Sequence, residues 1–141
     1  KATWMSEKEV IEASQRTKAD LEEARTEEER ATREGDLQRA AEIHACDMAT
    51  KEFMNHTGSD GSSARDRIHR SGYDRTTMVA ENIGFGPNMT TAQIIAAWKG
   101  SSGHRANTEH PGLTQMGLAR VVAQNGRTVY WAQTFGTPSR N

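Results

Sequence analysis

Residues 115–135 read QMGLARVVAQNGRTVYWAQTF. Two runs in this stretch, 115–123 and 128–135, alternate apolar with polar side chains and carry Val, Tyr, Trp and Phe. A period of two places one face of an extended chain against a core. Asn125-Gly126 lies between the runs, and both residue types tolerate the positive φ of a tight hairpin turn. The segment predicts an antiparallel hairpin, so the chain is not all-helical.

Upstream, the pattern changes from two to near 3.6. Residues 90–99, TTAQIIAAWK, predict a helix capped by Thr90 with Ile94, Ile95 and Trp98 turned inward. Residues 78–86, MVAENIGFG, predict a short strand, and 100–112 predict a loop. A short helix over 63–70 follows a Ser62 or Ser63 cap and stops at Gly72. The turn-rich NHTGSDGS of 55–62 lacks the acidic spacing of a calcium loop. Helices followed by a small antiparallel sheet with an inserted helix make an α+β chain.

The N-terminal part differs in kind. Residues 7–34 are dense in Glu, Lys, Arg and Ala, and Ser6-x-x-Glu9 is a capping-box signature. Their apolar positions are sparse (Val10, Ile11, Leu21, Ala24, Ala31), which predicts a solvated helix suited to packing on a partner. Gly35-Asp36 reads as a break, with Asp36 capping a second helix that ends near Phe53. That helix carries Leu37, Ala40, Ala41, Ile43, Ala45, Met48 and Ala49 on a buried side. The expected organisation is a charged helical segment, 1–35, before one α+β domain, 36–141.

Composition narrows the function classes. The net charge of −1 gives no global field for nucleic acid. Residues 1–50 carry −5 and residues 51–141 carry +4, which fits intramolecular complementarity or, as the alternative, a polyanion-binding face on the second half. Mean hydropathy is −0.83, and no stretch approaches a membrane span. Cys46 is the one cysteine, so no internal disulfide forms, and its helix predicts a buried, inert thiol. No organic cofactor motif is present.

From residue 36 onward the chain resembles the short bacterial form of the CAP domain (the SCP, or pathogenesis-related-1, superfamily). The resemblance is carried by LQRAAEIHACDM (37–48), His56 to Ser62, Arg67, Gly72-Tyr73, Ala80-Glu81-Asn82-Ile83, Trp98, GHRAN (103–107), Met116-Gly117 and YWAQTFG (130–136). It implies an α-β-α sandwich with a small antiparallel sheet between helical layers. It also implies export to the periplasm or the exterior, and an open cleft of histidines and acidic residues that holds a divalent metal, often zinc, in some members. Lipids, glycans and proteins are the ligand classes so implied, without established catalysis. Two departures stand out. The charged helix replaces the usual Asn-x-x-Arg opening, and the second glutamate expected shortly after Trp98 is absent.

The candidate site is therefore His56, Glu81 and His104, with Asn82 and Arg105 beside them. His56 and His104 are the metal-ligand candidates, for Zn2+ or another divalent cation, since imidazole suits zinc. Glu81 on an apolar strand needs a partner and is placed to orient His56 or accept a proton. Water in the fourth position would make an open site and allow a zinc-assisted hydrolase with Glu81 as base. Asn82 is expected to tie a loop to the strand, and Arg105 and Asn107 to pin the GHRAN segment. Arg67 is expected to pair with Asp60 or Asp66, or to face the cleft. His44 reads as a hydrogen-bonded core histidine, and His69 and His110 as exposed. Ser101 and Ser102 precede His104, but no GxSxG elbow or orienting acid accompanies them. A third reading gives the work to the acidic N-terminal helix, as an interaction module forming a monomer or weak dimer.

Overall fold

The computed structural model describes residues 6–139; residues 1–5 of the N-terminal segment and 140–141 of the domain lie outside the described residues. Four helices, α1 (Glu7–Lys51), α2 (Ala64–Arg70), α3 (Thr91–Lys99) and α4 (Ser102–Glu109), accompany three strands. The strands are β1 (Thr76–Pro87), β2 (Gln115–Val122) and β3 (Thr128–Pro138). They form one antiparallel sheet in the order β1-β3-β2.

The hairpin falls where the sequence places it. Gly126 has φ +71°, and Asn125 Oδ1 accepts the backbone N–H groups of Arg127 and Thr128. β3 is the central strand, paired on both edges and buried continuously from Val129 to Gly136. Its two faces serve different helices. Tyr130 and Ala132 pack with Ala41, Ala45 and Met48 of α1, while Val129 and Trp131 pack with Ile94 and Trp98 of α3. This alternation is the α-β-α sandwich. A third cluster joins Leu37 and Ala40 to Ile68 of α2 and to Tyr73.

Gly117 shows how closely α1 approaches the sheet. A Cβ there would lie 2.5 Å from the backbone nitrogen of Gln38, so any side chain would push the helix off β2. The Gln38 amide bonds both to the carbonyl and from the N–H of Leu118, and Thr134 donates to the Leu37 carbonyl.

The chain divides into two compact units, 1–32 and 33–141. In the first, Ser6 and Glu9 form the expected capping box, and Val10, Ile11 and Leu21 are exposed. Helix formers and ion pairs such as Arg30–Glu27 support it, rather than a core.

Four expectations are corrected. Ile43 is exposed on α1, about half a turn from the stripe of Ala41, Ala45 and Met48. Gly35-Asp36 does not break the helix: α1 runs through it to Lys51. One glycine costs a helix interior only about 1 kcal/mol, which the strong formers on either side and the packing after Leu37 outweigh. The GHRAN segment is a helix, α4, and not part of a loop. Cys46 is exposed, on the side of α1 opposite Ala45 and Met48 in the core. The caps of α2 and α3, Ser63 and Thr90, are as expected, each in a complete capping box.

Candidate functional site

β1 carries Glu81 and Asn82, which point to opposite sides of the strand and organise opposite walls of one site. Glu81 is almost wholly buried, with 2% of its side chain exposed. Its Oε2 meets the Arg67 guanidinium at 2.9 Å, and its Oε1 meets His56 Nδ1 at 2.9 Å. Arg67 is itself buried on the inner side of α2. It donates to the Ser62 carbonyl and hydroxyl and to the His56 carbonyl. One guanidinium thus fixes the carboxylate, the loop over 56–62 and the backbone of His56.

Arg67 pairs with neither aspartate named for it: Asp60 binds Arg70, and Asp66 serves the α2 cap. A buried cation next to a buried carboxylate satisfies both, whereas the surface aspartates have water.

His44 joins the same array from α1. It is fully buried, its Nε2 donates to the Asn55 carbonyl at 2.7 Å, and that nitrogen lies 3.8 Å from Glu81 Oε1. Its pKa is lowered by burial, against the opposing pull of the nearby Glu81. His44 is the expected core histidine, and it is also the floor under the Glu81–His56 pair. Nearby, Asp47 is lowered because two hydrogen bonds from Ser59 outweigh the opposing effect of its burial.

On the other side Asn82 is fully buried and bridges to α4. Its Nδ2 donates to the His104 carbonyl and to Gln133, and its Oδ1 accepts from Asn107. The expected tie is present, although what it holds is a helix. Arg105 reaches the Lys99 carbonyl at 3.4 Å, pinning the α3–α4 junction. His104 Nδ1 lies 2.9 Å from Ser101 Oγ, and its ring stacks on Trp98.

His56 and His104 open onto one cavity of about 610 Å³. Its walls are mainly apolar, from Met54, Ile83, Phe85, Met89, Ile94 and Trp98, with Asn55 and Ser101 as further polar groups. Glu81 does not line it; His56 stands between the carboxylate and the space. Each rim imidazole has its Nδ1 engaged inside the protein, which leaves Nε2 toward a ligand. Among the described residues, no three His, Cys, Asp or Glu side chains converge as a metal ion needs. His69 and His110 are exposed, and the His110 ring accepts the Gly112 N–H.

This arrangement can be set against known proteins. The model of the cysteine-rich secretory protein (CAP) family matches residues 29–135. The chain belongs to the CAP family. Its relatives include the uncharacterized protein YkwD of Bacillus subtilis, 29% identical over 99 residues, which are 70% of this chain and 36% of that protein. The chain therefore spans about a third of that relative's length. Two solved structures share the CAP fold. An outer surface protein of Borrelia burgdorferi superposes with a TM-score of 0.64 at 17% identity, over 74% of this chain and 75% of its own. An extracellular SCP-domain protein of Bacillus anthracis gives 0.61 at 22% identity, over 72% of this chain and 32% of its own.

Sequence reasoning placed His56, Glu81, His104 and Asn82 in this CAP site, left Arg67 open between the aspartates and the cleft, and missed the part that His44 takes. His44 carried a signal, because it falls between Ala41 and Ala45 on the buried stripe of α1. Arg67 sits next to Ile68 in a seven-residue helix, too short to show periodicity. Among the described residues no helix is long and apolar enough to cross a membrane.

Proposed function

We propose that this CAP domain is an exported binding module. Its ligand inserts an apolar group into the 610 Å³ cavity and sets a polar group against His56 and His104. The observation that supports this is the contrast inside the cavity: apolar walls with two held imidazoles at the rim. A site of this kind takes its affinity from burial and its orientation from a few fixed polar groups. Export is favoured by the family and by the relatives described as outer surface and extracellular proteins. A small lipid or an apolar peptide side chain suits these walls better than a glycan, which needs more polar partners.

Zn2+ or another divalent cation at this rim would have Nε2 of His56 and of His104 as protein donors, with Glu81 already committed to Arg67 and His56. Zinc sites take three or four protein ligands. The donor set does not fit a tightly held resident metal, and a metal-assisted hydrolysis with Glu81 as base loses its base to Arg67.

The test uses anilinonaphthalene sulfonate as an apolar probe, with wild type and Ala97→Trp. Ala97 lines the cavity and is exposed, so a tryptophan there fills space without touching the core. Wild type binds the probe, fatty acids or apolar peptides displace it, and Ala97→Trp binds at least tenfold more weakly. Equal binding by both proteins refutes the reading.

A further inference from the structure

Three helices of this chain begin with a side chain that serves the helix. Ser6, Ser63 and Thr90 each accept the backbone N–H three residues on. Ser101 occupies the same position in α4 and makes no such bond. Its hydroxyl lies 2.9 Å from Nδ1 of His104, and both residues line the 610 Å³ cavity.

The pair is held from outside. The His104 ring lies against Trp98 with centroids 6.5 Å apart, and the His104 carbonyl is fixed by Asn82. An imidazole with its proton on Nε2 presents Nδ1 as the acceptor for a serine proton, the arrangement that activates a hydroxyl nucleophile. At the start of α4 the N–H groups of Ser102 and Gly103 have no partner within the helix. Ser102 and Gly103 are both exposed, and a Cβ at Gly103 would meet nothing within 4 Å.

We infer that Ser101 and His104 are a nucleophile–base pair that cleaves short-chain carboxylic esters whose acyl group occupies the cavity. The inference uses the cavity of the binding reading and adds a reaction to it. Ser101 Oγ adds to the ester carbonyl carbon while its proton passes to His104 Nδ1. The carbonyl oxygen, now an oxyanion, faces the N–H groups of Ser102 and Gly103. The bond to the alcohol oxygen breaks, and His104 returns its proton to that oxygen. Water then attacks the acyl-serine and gives a proton to His104. The carboxylic acid departs, and Ser101 recovers its proton. Ser101 and His104 are the catalytic residues of this scheme, and Trp98 and Asn82 are positioning residues.

The experiment is active-site labelling with a fluorophosphonate, read by intact mass, beside hydrolysis of p-nitrophenyl butyrate. Wild type takes one label and turns over the ester. Ser101→Ala takes none, and His104→Ala reacts at least about 100-fold more slowly, the usual contribution of a general base. Ala97→Trp keeps the pair but blocks the acyl site, so its turnover falls tenfold or more while the fold is intact by circular dichroism. Cys46→Ala removes the exposed thiol and retains full labelling.

Absence of labelling in folded wild type overturns the inference, and so does labelling that survives Ser101→Ala. The two readings separate cleanly. A wild type that binds the apolar probe but takes no label sinks the ester chemistry alone. One that is labelled at Ser101 but binds no apolar probe sinks the binding reading alone.

Discussion

The two imidazoles of the cavity rim are held by opposite means. His56 hangs on a buried ion pair: Glu81 takes its Nδ1, and Arg67 takes both Glu81 and the His56 carbonyl. His104 rests on neutral groups, a serine hydroxyl, an indole face and the Asn82 amide. The two sides therefore store their energy in different places. The His56 side depends on two charges that are safe only together, since a buried ion left without its partner is costly. The His104 side depends on small neutral terms that can be removed one at a time.

Substitutions sharpen that contrast. Arg67→Ala strands the Glu81 carboxylate and unfastens the 56–62 loop, so denaturant unfolding should show a loss of about 3–5 kcal/mol. A loss below about 1 kcal/mol would mean that the pair is not the support described. Asn82→Ala leaves the His104 carbonyl, Gln133 and Asn107 each short of a bond, with an expected cost of about 1–3 kcal/mol. It should also loosen α4 while leaving His56 in place, visible as faster amide exchange over residues 102–109.

A smaller effect follows from His44. Its folded-state pKa lies below the ordinary 6.5, chiefly because it is buried. As pH falls through about 6.5 the unfolded chain takes up a proton that the folded chain refuses, so stability is lost on the acid side. Unfolding curves from pH 8 to pH 5 should show this decline, and His44→Gln should flatten it. Ser101→Ala sits last. Ser101 makes no capping bond, so its removal should change stability by no more than about 0.5 kcal/mol. A cost near 1 kcal/mol or above would return Ser101 to an ordinary capping role.

Much of the fold was legible because its signals are local. The Asn125-Gly126 turn, the capping boxes at Ser6, Ser63 and Thr90, and the alternation over 115–135 each act within a few residues. The break expected at Gly35 was wrong for a physical reason. Glycine only lowers helix propensity, and the deciding interactions, Leu37 and Gln38 against β2 and β3, lie far away in sequence. Of the site, Glu81 with His56 could be anticipated, because a carboxylate on an apolar strand demands a partner. For Arg67 the cleft was one alternative beside Asp60 and Asp66, and the sequence does not choose among them, since the aspartates stand nearer and offer equally good charges. A cleft at His56 and His104 was implied by the family resemblance, but its apolar walls were not: they come from α3, α4, β1 and the loop after α1, and no local pattern foretells how such elements line one space.

The most direct measurement of the central claim is side-chain NMR of 15N-histidine protein, with and without a bound apolar ligand. Free His56 is expected to hold its proton on Nδ1, facing Glu81. Bound ligand should shift the Nε2 signals of both His56 and His104, and Ala97→Trp should abolish those shifts. A mixture of tautomers at His56, with rim nitrogens indifferent to every apolar ligand that binds, would contradict the claim.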